Sequence, residues 1–212
     1  FAWVQPQRLT DYPLLAADHP IVSALCLPAD YVFTRADASE REILTGMAAL
    51  PRGALLRLRL PSWPEARYRS LAREVIALAQ TFALRIMLDR DAAMVEELGA
   101  DGWHASAQAL AACGPRPADS TGLWIASAHG LADLQQARSK RFDAAVLGPV
   151  CATATHPGAS AMGWASFAEH VGAANLPTYA IGGVSPADHA RAFSCYAQGV
   201  AGISAYWSVS SS

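Results

Sequence analysis

From Asp30 onward, short apolar runs alternate with longer stretches of helical period. The runs span 31–34, 55–60, 85–89, 102–105, 123–127, 144–147, 178–181 and 200–203. Repeated strand–helix units on a parallel sheet read this way. Eight parallel strands at this pace predict an α/β fold, a (β/α)8 TIM barrel, with an open doubly wound sheet as the alternative that periodicity leaves open. Between the second and third runs, Leu71, Val75, Leu78 and Ala79 share one helical face, with Arg69 and Arg73 elsewhere, as in a helix packed on a sheet. Ser39 and Glu42 have capping-box spacing, and Ser185-Pro186 supplies a cap followed by proline in the first turn. After the eighth run only 204–212 remain, too short and serine-rich for a full helix, so the closing helix is expected to be short or missing. Residues 1–28 carry four prolines and an apolar stretch at 21–27. They are expected to cover the exposed flank of the barrel formed by 29–212, unless the second subunit of a homodimer does so.

The chain has 212 residues, 52% of them hydrophobic and 16% charged, which suits one compact domain with a large core. A net charge of -2 gives no broad attraction to nucleic acid or to an anionic membrane, and neither is an expected partner. Cys26, Cys113, Cys151 and Cys195 are far apart and lack zinc-site spacing, so they are read as idle thiols. No apolar run approaches the ~20 residues of a spanning helix, and residues 1–8 are not a signal peptide, so a cytoplasmic location is expected.

In such barrels the loops at the C-terminal ends of the strands build the site, and phosphate often binds beyond strands seven and eight. The seventh run ends in Ile181-Gly182-Gly183-Val184, where two residues without Cβ let backbone N–H groups approach an anion. The eighth ends in Gly202-Ile203-Ser204, which offers another N–H and a hydroxyl. A long loop rich in glycine and threonine follows the sixth run. There Thr153 and Thr155 can donate to phosphate oxygens, and His156 can supply a charge or a proton.

These stretches carry a family resemblance. Residues 148–155 read like GPV-x-x-T-x-T, 180–183 are AIGG, and 100–104 are similar to A-D-G-V-H. With Ser127-Ala128-His129 and 199–204, the chain resembles the thiamine phosphate synthase and TenI family across 31–204. Synthases of that family join a pyrimidine pyrophosphate to a thiazole phosphate, with magnesium bridging the departing pyrophosphate. The resemblance implies a phosphate site of Thr153, Thr155, Gly182, Gly183 and Ser204 for a phosphorylated thiazole or thiamine-like ligand.

The other half of the site diverges. The family pattern Q-x-R-x-K aligns with Arg57, Arg59 and Pro61, and its Asn-Asp pair with Leu88-Asp89. A second magnesium aspartate falls near Ala109, and the lysine after T-x-T is His156. Arg57 and Arg59 are therefore the expected pyrophosphate contacts, and Asp89 is expected to hold Mg2+ only weakly. A thiazole tautomerase of the TenI type needs only the bound thiazole phosphate and a proton carrier. His129 is the candidate, with His156 beside it, while His104 is read as a core residue. Three readings stay open: a diverged synthase, a tautomerase, and a phosphate-ligand-binding or regulatory domain without turnover. Trp3-Val4, Leu9-Thr10-Asp11-Tyr12-Pro13 and Pro20-Ile21-Val22 resemble the tail of a Nudix hydrolase domain, which makes a fused Nudix domain an expected partner.

Overall fold

The computed structural model of the chain describes residues 3–15, 18–153 and 160–207. Eight parallel strands close into a barrel in chain order. They are β1 (Asp30–Phe33), β2 (Leu55–Leu58), β3 (Arg85–Leu88), β4 (Gly102–Ala105), β5 (Leu123–Ala128), β6 (Ala144–Leu147), β7 (Thr178–Ala180) and β8 (Gly199–Gly202). Closure rules out the open sheet, because β8 pairs with β1 and sets Ala201 opposite Tyr31. Helix α1 (His19–Cys26) precedes the barrel. Helices α2 (Glu40–Gly46), α3 (Glu65–Phe82), α4 (Ala92–Leu98), α5 (Ala107–Ala112), α6 (Leu131–Ser139), α7 (Gly163–Ala174) and α8 (His189–Ser194) each follow one strand, from β1 to β7.

Strand alternation sorts the side chains into two cores. Tyr31, Phe33, Leu55, Met87, Ile125, Val146, Tyr179 and Ala201 fill the barrel interior. Val32, Leu56, Leu58, Ile86, Leu88, Ala126 and Leu147 face the helix layer. On α3 the buried stripe is Tyr68, Leu71, Ala72, Val75 and Ala79. Leu78, expected on that face, is 38% exposed, since it falls at the margin of the stripe. The Ser39 cap is reciprocal: Ser39 N–H donates to Glu42 Oε2 at 2.8 Å, and Glu42 N–H donates to Ser39 Oγ at 3.3 Å. Ser185 caps a 3-10 turn at Pro186–Asp188, with Asp188 as the reciprocal acceptor, before α8 begins.

Among the described residues no helix follows β8. The outside of the paired seam between β8 and β1 is covered instead by two aromatic side chains. The Tyr206 hydroxyl donates to Asp30 Oδ1 at 2.7 Å, and Trp207 Nε1–H donates to the Phe33 carbonyl at 2.8 Å. The Trp207 ring lies where a side chain on Gly46 would have to go, which ties α2 to the seam.

The N-terminal segment runs beneath the barrel, which corrects the expectation that it covers the flank. Leu27 plugs the interior from below, and the Gln198 amide donates to the carbonyls of Ala24 and Leu27, both at 3.0 Å. Arg85 donates to the Cys26 carbonyl, and the Tyr179 hydroxyl donates to that of Pro28. These anchors belong to strand starts and inward side chains, so they draw the segment under the floor. No described helix is long and apolar enough to cross a membrane.

Candidate active site

A cavity of about 510 Å³ opens at the C-terminal ends of the strands, the size range of a small-molecule site. One wall is backbone. Gly182 and Gly183 adopt φ of +91° and +63°, a left-handed conformation that favours glycine. Among the described residues their amides donate to no protein acceptor, while Val150 N–H and Cys151 N–H donate to the carbonyls of Ile181 and Gly182. The loops after β6 and β7 are thus stitched together with two N–H groups left over. Thr153 and the exposed Ser204 line the same cavity. Thr155 and His156 lie outside the described residues.

The opposite wall carries the cations. Inward parity on β2 sends Arg57 and, just past the strand, Arg59 toward the mouth. Thr34 Oγ1 fixes the Arg59 backbone by accepting from its N–H at 2.7 Å and donating to its carbonyl at 3.1 Å. Arg57 lies over the Phe33 ring, 4.9 Å from its centroid, and Nη2 is 3.4 Å from Asp89 Oδ2. Burial lowers the Arg57 pKa and the Asp89 carboxylate opposes the shift; the guanidinium stays charged. Among the described residues no carboxylate lines the cavity, and Arg59 adds a positive charge to its wall, which favours anions.

A third feature joins floor to mouth. His104 is fully buried, with Nδ1 2.7 Å from the Tyr31 hydroxyl and Nε2 2.8 Å from Ser127 Oγ. Burial holds the His104 pKa well below 6.5, assisted by Arg57 and Arg59, and raises that of Tyr31. Tyr31 therefore keeps its proton. Among the described residues Nδ1 is its one acceptor, so Nδ1 carries the lone pair and Nε2 carries the hydrogen. Nε2–H then donates to Ser127, whose own hydrogen is left to point at the cavity. Ser127 is set as a donor to whatever binds there.

His129 follows β5 and lines the cavity. Its backbone N–H donates to Asp133 Oδ2 at 2.7 Å, and Nδ1 lies 3.4 Å from the Gly148 carbonyl. A carbonyl only accepts, so that contact calls for hydrogen on Nδ1; in the neutral ring Nε2 then carries the lone pair of a proton acceptor.

Magnesium fits this mouth poorly. It calls for near-octahedral oxygen ligation and retains waters. Asp89 Oδ2 is committed to Arg57, and Oδ1 is buried without a hydrogen-bond partner among the described residues. Among the described residues no group of three His, Cys, Asp or Glu side chains could hold a metal ion. Ala109 packs against the outer core from α5, and Leu88 faces the helix layer.

Of the sequence-predicted residues, Arg57, Arg59, His129, Thr153, Gly182, Gly183 and Ser204 line one cavity, and Asp89 sits behind Arg57. Tyr31 and Phe33 were not singled out from the sequence, and Ser127 entered only within the Ser127-Ala128-His129 stretch, without a role of its own. A hydroxyl at an inward parity position of an otherwise apolar strand was the available signal for Ser127.

The family described as Thiamine monophosphate synthase matches residues 31–206. A thiamine-phosphate synthase of Laribacter hongkongensis is 32% identical over 164 residues, covering 74% of this chain and 76% of that protein. One of Herpetosiphon aurantiacus is 31% identical, covering 81% and 83%. Among solved structures, thiamine phosphate pyrophosphorylase from Pyrococcus furiosus superposes with a TM-score of 0.66 at 17% identity, covering 85% of this chain and 88% of that one.

Proposed function

Since this chain belongs to the thiamine monophosphate synthase family, we propose that its mouth binds a thiazole phosphate. The phosphate would lie on the Gly182 and Gly183 amides with the hydroxyls of Ser204 and Thr153. The carrying observation is a cavity that has, among the described residues, two glycine amides without an acceptor on one wall, two arginines on the other and no lining carboxylate. Thr155 and His156 extend this proposal along the loop after Thr153. Arg57 and Arg59 face where a second anionic group would lie, and Ser127 would donate to an acceptor atom between the two ends.

Magnesium, where a synthase uses it, neutralises a departing pyrophosphate. The pairing of Asp89 with Arg57 disfavours that arrangement here, and turnover to thiamine phosphate is proposed to be slow or absent. The lone pair on His129 Nε2 favours a second reading, a thiazole tautomerase. One imidazole would take a proton from one position of the bound thiazole and return it at another, with no net change of atoms. Crystals soaked with thiazole phosphate test the first reading. Density for phosphate on Gly182 and Gly183 supports it, and a ligand held elsewhere removes it.

A cytoplasmic location, a homodimer and a fused Nudix domain remain proposals resting on sequence alone.

A further inference from the structure

Arg57 and Asp89 form a closed charge pair at the edge of the mouth. In the β2–β3 register Arg57 pairs with Met87, so Asp89, two residues on, shares its inward parity. Each side chain is 9% exposed. Asp89 is also fixed through its backbone: its N–H donates to the Tyr68 hydroxyl at 3.2 Å, and that hydroxyl donates to the Leu58 carbonyl. Among the described residues Arg57 Nε and Asp89 Oδ1 are both buried without a partner. The pair is therefore electrically complete but has hydrogen-bonding capacity unspent.

A buried carboxylate persists only with a counter-charge. A divalent ion would cancel it and leave positive charge over, whereas a guanidinium cancels it and leaves none. Arg59, whose guanidinium has no hydrogen-bond partner among the described residues, then supplies the net charge at this wall.

We propose that Arg57 stands as a built-in cation in place of a divalent metal, so that the mouth takes phosphate-type anions without a metal ion. This rests on the anion-binding reading of the cavity. The two fail differently.

The test is calorimetric titration of the full chain with inorganic pyrophosphate, in EDTA and in Mg2+. Comparing the ratio of the two dissociation constants between variants cancels the complex that the ion forms with the probe in solution. The wild-type ratio should lie within ~3-fold of one after correction for that complex. Arg57→Gln should lose ~10-fold in EDTA and recover part of it with Mg2+, because Asp89 is released. Asp89→Asn should bind ~10-fold more tightly in EDTA, because Arg57 is no longer neutralised, and should keep the wild-type ratio between EDTA and Mg2+; a metal-serving Asp89 predicts instead that Mg2+ tightens the wild type and that the variant loses this response. This second variant decides the matter if circular dichroism shows that Arg57→Gln has not folded. Mg2+ tightening wild-type binding by ~10-fold or more overturns the inference and leaves the anion site standing. No pyrophosphate binding in any arm removes the anion-site reading and the inference with it.

Discussion

His104 presents Nε2 to the Ser127 hydroxyl oxygen at 2.8 Å while its Nδ1 takes the Tyr31 hydroxyl at 2.7 Å. Its pKa, depressed by burial, lies well below the ordinary 6.5. Below pH 6.5 the unfolded chain gains a proton at His104 that the fold refuses. Its contribution to stability is thus intact above that pH and falls as pH drops toward the depressed value, by up to ~1.4 kcal/mol per unit. Urea midpoints at pH 7.5 and 5.5 should show this acid loss, and His104→Gln should flatten it. An equal slope in the variant would remove His104 as the cause.

The same relay predicts how binding responds. Ser127→Ala deletes a neutral donor and should weaken thiazole phosphate binding by roughly 3–10-fold. Tyr31→Phe leaves the Ser127 hydroxyl in place but frees His104 to carry its hydrogen on either nitrogen. Its loss should be smaller than that of Ser127→Ala by calorimetry. Equal losses would show that orientation through His104 matters as much as the hydroxyl itself.

At Gly183 a Cβ would collide with the Ala152 carbonyl and Cys151, in a backbone conformation with φ of +63°. Gly183→Ala should therefore separate the loops after β6 and β7 and reduce anion affinity by ~10-fold or more. Gly183→Asp adds repulsion and should abolish binding. Titration with inorganic phosphate reads both, and undiminished affinity in Gly183→Ala would place the anion elsewhere.

The seam between β8 and β1 depends on side chains where a helix is absent. Trp207→Ala loses the hydrogen bond to Phe33 and the packing on Gly46, and should destabilise the fold by about 2–4 kcal/mol in denaturant titration. Gly46→Val should cost stability by pushing the ring away from the same side. A neutral result in both would mean that the seam is held by something other than this contact.

The barrel was legible because each strand is a short apolar run and each intervening stretch has a helical period. Ser39 and Glu42 announced the start of α2 by spacing alone. The glycine turn of the cavity wall was legible too, since Gly182 and Gly183 follow the seventh run. The pair of Arg57 with Asp89 was not, because 32 residues separate them and only the β2–β3 register brings them together. Nor was the link between Tyr31 and His104, which spans 73 residues across the barrel interior. The N-terminal segment was misplaced for the same reason: Gln198 and Arg85 hold it under the floor through backbone carbonyls, and carbonyls leave no mark in a sequence.

The central claim is that the phosphate half of this mouth works and the pyrophosphate half has been rebuilt. Calorimetric titration with thiazole phosphate and with pyrimidine pyrophosphate, followed by assay for thiamine phosphate, tests it most directly. The account predicts that thiazole phosphate binds at least ~10-fold more tightly than pyrimidine pyrophosphate, with little or no product. Tight, magnesium-dependent binding of pyrimidine pyrophosphate with rapid formation of thiamine phosphate would contradict it.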